Sequence, residues 1–186
     1  MQFSVGRPDL VRAINQRWLL KFWKRSRYGE SAPPWRAVEA EDLSRVASNL
    51  CFLHVEAAAG APRLRILAHG PTIGRVYGSA DCRGRYLDQV LPASACPDAL
   101  DPYYQAIKSG QPVYLVHDVI DCKDRVVHFE RLLMPFSHDG KAVDRILASF
   151  ELISPDGAFE SHEFMMTLRN QPMLRLSAKI EPGATA

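Results

Sequence analysis

The charged pair Glu130-Arg131 stands in the middle of an apolar run, where its two side chains are well placed to do chemistry. The run Val126–Phe136 is typical of a β-strand, and successive side chains of a strand point to opposite faces of the sheet. One of the two charges must therefore point to the buried side. There it contacts a polar ligand or Arg85, or it forms a salt bridge that closes a helical segment onto the sheet. Buried charges are usually paired for structural reasons, which favours the salt bridge.

Three histidines, His69, His117 and His128, fall on strands that are expected to be neighbours, where a neutral imidazole could ligate a metal or haem iron. No Cys/His cluster with ligand spacing and no CxxCH motif accompanies them. The sequence therefore predicts no metal site and argues against haem, and it leaves the cofactor unknown. In an alternative interpretation the protein is a small α+β enzyme that uses Glu130 or His128 as a general base.

The cysteines are scattered along the chain and form no CxxC pair, which does not suit a zinc site. They are Cys51, Cys82, Cys96 and Cys122. No activating motif surrounds Cys51, and the sequence contains no GxGxxG, Walker or calcium-loop pattern, so we expect no catalytic residue. Because no apolar secretory segment is visible, we expect reduced thiols in a cytoplasmic protein.

The elements that must position these residues follow from the pattern of apolar residues. Residues 50–57 are rich in apolar residues and residues 63–68 alternate between apolar and polar, which predicts a hairpin. Three strand-like runs follow over 113–120, 126–136 and 143–153. Asp139-Gly140 is a strong hairpin turn before the last strand. Short helical segments lie between the two groups of strands. This order predicts an α+β fold, with one five-stranded antiparallel sheet and short helices on one face.

An N-terminal amphipathic helix is expected to begin at Pro8 and to end before Pro33-Pro34. Its apolar stripe consists of Leu10, Ile14, Trp18 and Phe22. The stripe can pack on a second copy to form a homodimer, lie on an anionic membrane or protein surface, or dock on its own sheet. We therefore divide the chain into a helix and linker over 1–33, a body over 34–153, and a C-terminal helix and tail over 154–186.

Charge is distributed unevenly along the chain. Apolar residues make up 47% and charged residues 24%, which excludes wholesale disorder. The net charge is only +2, yet residues 1–27 carry seven basic side chains and one acidic side chain. Nucleic-acid binding is therefore an alternative for this helix only, and we expect no specific nucleic-acid partner. No run approaches the roughly 20 apolar residues that a transmembrane helix needs.

Several short motifs, taken in order, are similar to those of one known family. They are Pro34-Trp35, the run from Leu64 to Gly70, Val76-Tyr77-Gly78, the run from Gly84 to Asp88, the run from Gly110 to Tyr114, the run from Phe129 to Pro135, and Asp139-Gly140. Over about residues 34–152 the chain resembles PAS domains. It is most similar to a bacterial branch of small proteins that contain little more than one PAS domain.

The resemblance implies a sensory or interaction module without catalytic activity. PAS domains bind small molecules in a cavity between the sheet and its small helices, or bind other proteins, commonly as dimers. We therefore expect an unidentified small molecule, a regulatory protein partner, or both, with the signal passed on by protein–protein contact. The candidate pocket residues are His69, Tyr77, Arg85, Tyr104, Tyr114, His128, Glu130 and Arg131.

Overall fold

Seven strands form one sheet in the computed structural model, which describes residues 2–29, 32–91, 96–155, 157, 159, 164–166 and 171–181. The strands are β1 Ser4–Gly6, β2 Leu50–Glu56, β3 Arg63–His69, β4 Val113–Ile120, β5 Val126–Phe136, β6 Arg145–Ile153 and β7 Met173–Ile180. Their order across the sheet is β1-β7-β4-β5-β6-β2-β3. Each neighbouring pair among the five strands from β4 to β3 is antiparallel. Three of these pairs join strands that are consecutive in the chain, and the fourth joins β6 to the distant β2.

Two further strands make the sheet larger than the five strands that the sequence predicts, and make it mixed. β7 pairs antiparallel with β4, and β1 pairs parallel with β7. The prediction of a wholly antiparallel five-stranded sheet is therefore wrong. β7 lies in the segment that was assigned to a C-terminal helix and tail, and β1 is only three residues long, too short to show an alternating pattern.

In the described part of the chain, five helices lie among these strands, together with three short 3-10 turns. The helices are α1 Ile14–Arg25, α2 Arg36–Ala40, α3 Pro71–Val76, α4 Leu87–Val90 and α5 Cys96–Ser109. The 3-10 turns are Pro8–Leu10, Ala47–Asn49 and Phe164–Met166. The last of these lies in the segment 154–186, for which the sequence predicts a helix and a tail. Residues 182–186 of that segment lie outside the described residues.

The sheet has a buried core on each of its two faces. We call the face of β5 that carries Val127, Phe129 and Leu133 the inner face, which packs with residues of α3, α4 and α5. The opposite face, with Leu132 and Phe136, is the outer face, and residues of α1 and α2 pack there. The helices thus cover both faces rather than the single face that was predicted. An apolar stripe on both sides of β5 is what a doubly covered strand requires.

α1 docks on the outer face of its own sheet. Its buried side chains are Leu19, Leu20, Phe22 and Trp23, and each apolar side chain of this size contributes about 1.5–3 kcal/mol when it is buried. The Trp23 Nε1–H donates a hydrogen bond to the carbonyl oxygen of Pro135 at 2.7 Å. Of the predicted stripe, Phe22 is buried, Leu10 and Trp18 are half-buried, and Ile14 is 71% exposed.

The start of α1 differs from the predicted start at Pro8. Pro8–Leu10 forms a separate 3-10 turn, and the backbone is extended at both Val11 and Ala13 before α1 begins at Ile14. This break lets Arg12 N–H reach the Tyr114 hydroxyl oxygen at 3.3 Å. A side chain on β4 therefore fixes the entry into the helix.

Candidate ligand-binding site

Arg131 brings a positive charge to the inner face. It lies on β5 directly opposite Leu115 of β4, and it is only 5% exposed. Its Nη1 donates a hydrogen bond to the carbonyl oxygen of Ala99 on α5 at 3.3 Å, and its guanidinium carbon lies 5.8 Å from the centre of the Phe129 ring. Its Nε is buried and has no hydrogen-bond partner. Among the described residues no carboxylate forms an ion pair with Arg131.

His117 is the second polar group on this face. It lies directly opposite Phe129, so it is a diagonal neighbour of Arg131 across β4 and β5. It is 7% exposed, and its Nδ1 is buried without a partner. Burial, assisted by the nearby charge of Arg131, lowers the pKa of His117 from 6.5 to about 3. The imidazole is therefore neutral at neutral pH and offers one donor and one acceptor.

Two buried tyrosines complete the group, and we call Arg131, His117, Tyr77 and Tyr103 the inner polar cluster. Tyr77 directly follows α3, and Tyr103 lies on α5, where it experiences the charge of Arg131. Burial raises the pKa of Tyr77 to about 12 and raises the pKa of Tyr103 further, although the charge of Arg131 opposes both shifts. Both hydroxyls therefore stay protonated, and the cluster carries one positive charge.

Glu130 and Tyr114 lie on the outer face, away from this cluster. The Tyr114 hydroxyl donates to Glu130 Oε2 at 2.8 Å, and both residues are almost fully buried. The Gln16 side chain of α1 donates to the carbonyl oxygens of Glu130 and Ser149 at 3.3 and 3.2 Å. Glu130 pairs with neither Arg131 nor Arg85, so the expected salt bridge is not formed. These two candidate pocket residues instead hold α1 on the sheet.

The remaining candidates are spread over the molecule. His69 has both ring nitrogens engaged, because Nε2 accepts the Cys82 N–H at 2.9 Å and Nδ1 lies 3.0 Å from the Gly70 carbonyl oxygen. Arg85 is exposed, and its Nη2 donates to the carbonyl oxygen of Gln89. His128 is on the outer face, and Tyr104 is half-buried on α5. Of the eight candidates, the structure thus brings Arg131 and Tyr77 together on the inner face, and Tyr114 and Glu130 together on the outer face.

Two members of the inner polar cluster were missed as pocket residues. His117 is predicted only as one of three possible metal-ligating histidines, and Tyr103 is not among the candidate pocket residues. The signal for His117 was its parity, since it lies two residues after Leu115 and so shares its face. The signal for Tyr103 was its spacing from Ala99, because residues four apart share one side of a helix.

Neither the buried thiol of Cys51 nor a metal site adds a reactive group to the described residues. Burial raises the pKa of the Cys51 thiol well above its usual value, so the thiol stays protonated and unreactive. No group of three or more metal-ligating side chains occurs among the residues that the structure describes. In the same part of the chain, no helix is long and apolar enough to cross a membrane.

Comparison with known proteins adds the following findings. The family model for the PAS domain matches residues 11–151. The chain is similar to the LOV protein of Rhodobacter sphaeroides, with 18% identity and a TM-score of 0.44, over 62% of this chain and 65% of that chain. It is also similar to a light-oxygen-voltage domain from work on a flavin analogue, with 14% identity, a TM-score of 0.43, and 61% and 83% coverage. Similarities of this size carry no argument about function. No curated protein matches the sequence.

Proposed function

Because the chain belongs to the PAS domain family, we propose that it is a non-enzymatic sensory module that binds a small molecule on the inner face of its sheet. The unit that does so is the body over 34–153, and it passes its signal on by protein–protein contact. We further propose a cytoplasmic location. The buried thiols of Cys51 and Cys82, both free of disulfides, support a reducing compartment.

One observation carries the ligand proposal, namely the buried guanidinium of Arg131. A charge in a protein interior is stable only when it is paired and hydrogen-bonded. Arg131 has the carbonyl of Ala99 and the ring of Phe129 as neighbours, but its Nε has no partner. An arginine cannot lose its proton to escape this situation. A ligand that accepts a hydrogen bond from Nε supplies the missing compensation.

The structure also offers a route from the ligand to the outside of the molecule. Arg131 on the inner face and Glu130 on the outer face are consecutive residues of β5. The Glu130 carbonyl accepts a hydrogen bond from Gln16, and its carboxylate accepts one from Tyr114, which in turn contacts the start of α1. A shift of β5 on ligand binding therefore changes the hydrogen bonds that hold α1 on the outer face.

A surface for a protein partner lies at the far end of the outer face. Met173, Asp118, His128 and Ile153 lie directly opposite one another on β7, β4, β5 and β6, and we call them the outer row. Met173 is 52% and Ile153 is 40% exposed. Between them, Asp118 lies 2.8 Å from His128 Nδ1 and accepts a hydrogen bond from Arg175 at 2.7 Å. Apolar side chains that flank a charged centre of both signs suit a second copy of this chain, in a homodimer.

The enzyme alternative receives less support from these positions. His128 does lie beside a second titratable group, Asp118, but on an exposed part of the outer face. Glu130 is buried under α1 and bonded to Tyr114. Neither Glu130 nor His128 belongs to the inner polar cluster, so neither lies next to the proposed ligand.

Native mass spectrometry of the full chain as purified tests the ligand proposal. We expect a bound small molecule that is released when the protein is denatured and can then be identified by its mass. If every preparation is free of ligand, and no compound of a broad metabolite library raises the melting temperature, the proposal is wrong.

The dimer proposal is tested by light scattering on the same protein. We expect a dimer in the wild type and a monomer when Ile153 and Met173 are both changed to lysine. Leu67→Lys is the matched control, since Leu67 is similarly exposed on β3 at the other side of the sheet, and we expect it to remain dimeric. A wild-type monomer at all concentrations contradicts the proposal.

A further inference from the structure

We propose that the ligand of the inner face is a small organic carboxylate with one negative charge and an apolar body, held by the guanidinium of Arg131. This inference rests on the proposed function, because it names the class of molecule that binds at the same site.

The charge of the cluster selects a monoanion. Arg131 is always protonated and has no carboxylate partner among the described residues. His117 is neutral, because burial and the neighbouring guanidinium disfavour its charged form. The hydroxyls of Tyr77 and Tyr103 are also neutral. One negative charge therefore balances the site, whereas a dianion leaves a surplus charge in a buried place.

The free donors match the shape of a carboxylate. A guanidinium binds a carboxylate through two parallel N–H donors, and Nε is one of the donors on its side edge. In Arg131 the Nη1 is engaged with Ala99, while Nε is buried and unpartnered. The unpartnered Nδ1 of His117 lies on the same face. One carboxylate oxygen can accept from Nε of Arg131, and the second can accept from His117 in the tautomer that carries its proton on Nδ1.

The surroundings of the cluster require the rest of the ligand to be apolar. Phe129 stacks on Phe150 at 5.8 Å between ring centres, and Leu115 and Leu133 flank Arg131 on the same face. Apolar side chains of α5, among them Ala106, pack against this surface. Sugars and nucleotides would leave their hydroxyl and phosphate groups without partners here. A short aliphatic or aromatic acid meets both requirements.

The test measures the melting temperature of the full chain, freed of retained ligand, against increasing concentrations of defined probes. The probes are hexanoate and benzoate, their uncharged counterparts hexanol and benzyl alcohol, and inorganic phosphate. We expect both carboxylates to raise the melting temperature, because a ligand that binds only the folded state stabilises it. We expect the alcohols and phosphate to have little effect at the same concentrations.

Variants locate the binding group. Arg131→Met removes the charge and keeps the volume, and we expect about a tenfold to 150-fold weaker response to the carboxylates, the value of a charged hydrogen bond. Arg131→Lys keeps the charge but lacks the two parallel donors of the guanidinium, and it is used if the methionine variant does not fold. We expect it to show an intermediate loss of the response to the carboxylates. Glu130→Gln is the matched control, because it changes the neighbouring buried charge on the outer face, and we expect a wild-type response.

Each other outcome overturns the inference. If the alcohols raise the melting temperature as much as the acids do, the site does not recognise charge. If both Arg131 variants respond to the carboxylates as the wild type does, the carboxylates bind at another site. If phosphate raises the melting temperature more than the carboxylates do, the site prefers a different anion from the one proposed. If neither carboxylate raises the melting temperature, carboxylates are not the ligand class. In all four cases a retained neutral or phosphorylated molecule in native mass spectrometry leaves the proposed function standing, so the two failures are distinguishable.

Discussion

Glu130 and Arg131 are adjacent in the chain and opposite in charge, yet the sheet keeps them from neutralising each other. Successive side chains of β5 point to opposite faces, so each charge is buried in a separate core. Glu130 is compensated by the Tyr114 hydroxyl, while Arg131 keeps an unpartnered Nε. The two faces of the sheet therefore differ. The outer face is covered by α1, whereas the inner face carries an unpartnered hydrogen-bond donor, the Nε of Arg131.

His117 makes the stability of the fold depend on pH. Its pKa is about 3 in the folded protein and 6.5 in the unfolded chain. The neutral imidazole therefore contributes stability above pH 6.5, and this contribution is lost as the pH falls towards 3. The slope approaches about 1.4 kcal/mol per pH unit in this window.

Urea denaturation of the wild type and of His117→Gln at several pH values measures this effect. We expect the free energy of unfolding of the wild type to fall more steeply between pH 6.5 and 4 than that of the variant. Carboxylates titrate in both proteins, so the difference between the two curves isolates the histidine. Two parallel curves would show that the imidazole is not held neutral by the fold.

At the scale of elements, the contact between α1 and the sheet combines apolar packing with specific hydrogen bonds. Gln16 is fully buried and bridges two strands, since its Nε2 donates to carbonyls of β5 and β6. Trp23 adds a third bond, to Pro135 on β5. A helix held in this way has a defined position along the strands, which apolar contacts alone would not give.

Trp23→Phe tests the hydrogen bond from Trp23. The change keeps an aromatic ring but leaves the buried Pro135 carbonyl without its donor, so we expect a loss of about 1–3 kcal/mol in the free energy of unfolding. Trp18→Phe is the control, because Trp18 is half-buried and lies under Arg45 at 5.1 Å. We expect a loss below about 1 kcal/mol there. Equal losses in chemical denaturation would mean that only aromatic packing matters.

Glu151, which lies beneath α1, makes the stability of the fold depend on pH with the opposite sign to His117. It lies directly opposite Glu130 on β6, and it accepts hydrogen bonds from Asn15 and Asn49. Burial raises its pKa above 4.5, the two amides oppose this shift, and the charge of Glu130 adds to it. The protonated acid therefore contributes stability below pH 4.5, and this is lost as the pH rises through the raised pKa.

Glu151→Gln mimics the protonated acid at every pH. We expect the variant to be more stable than the wild type at pH 8 and equal to it below pH 4.5, as judged by tryptophan fluorescence during urea denaturation. A variant that is less stable at pH 8 would show that the amides of Asn15 and Asn49 need the carboxylate.

The sequence could predict what depends on local pattern. The limits of β4 and β5 follow from their apolar runs, and the placement of Glu130 and Arg131 on opposite faces follows from the two-residue period of a strand. The sequence could not predict which of the two faces α1 covers, because that depends on contacts between residues that are distant in the chain. β7 was missed although Leu174, Leu176 and Ala178 alternate with polar residues, since its partner β4 is distant in the chain.

At the scale of the whole molecule, both ends of the described chain are built into the sheet. Ala178 and Ile180 of β7 are fully buried, and β7 lies between β4 and β1. β7, which follows residue 153 in the chain, therefore belongs to the same sheet as the strands of the predicted body over 34–153 and covers the edge of β4. An uncovered β4 would present unpaired backbone groups to other chains.

Removing residues 171–186 tests this dependence. We expect a loss of more than about 3 kcal/mol from the apolar side chains alone, together with aggregation through the exposed edge of β4. Deletion of 182–186 is the control, since it begins after β7, and we expect it to leave the melting temperature unchanged. A truncated chain that stays monomeric and stable in gel filtration and thermal unfolding contradicts the expectation.

The placement of α1 has a consequence for how the protein is made. Trp23 and Pro135 are 112 residues apart, and Ser4 and Ser177 are 173 residues apart. On the ribosome, at about 5–20 residues per second, the apolar side of α1 waits roughly 6 to 22 s for the strand on which it docks. During that time Leu19, Phe22 and Trp23 have no strand to pack against, and transiently exposed apolar surface of this kind is prone to aggregation. The sheet can be completed only after β7 has been synthesised.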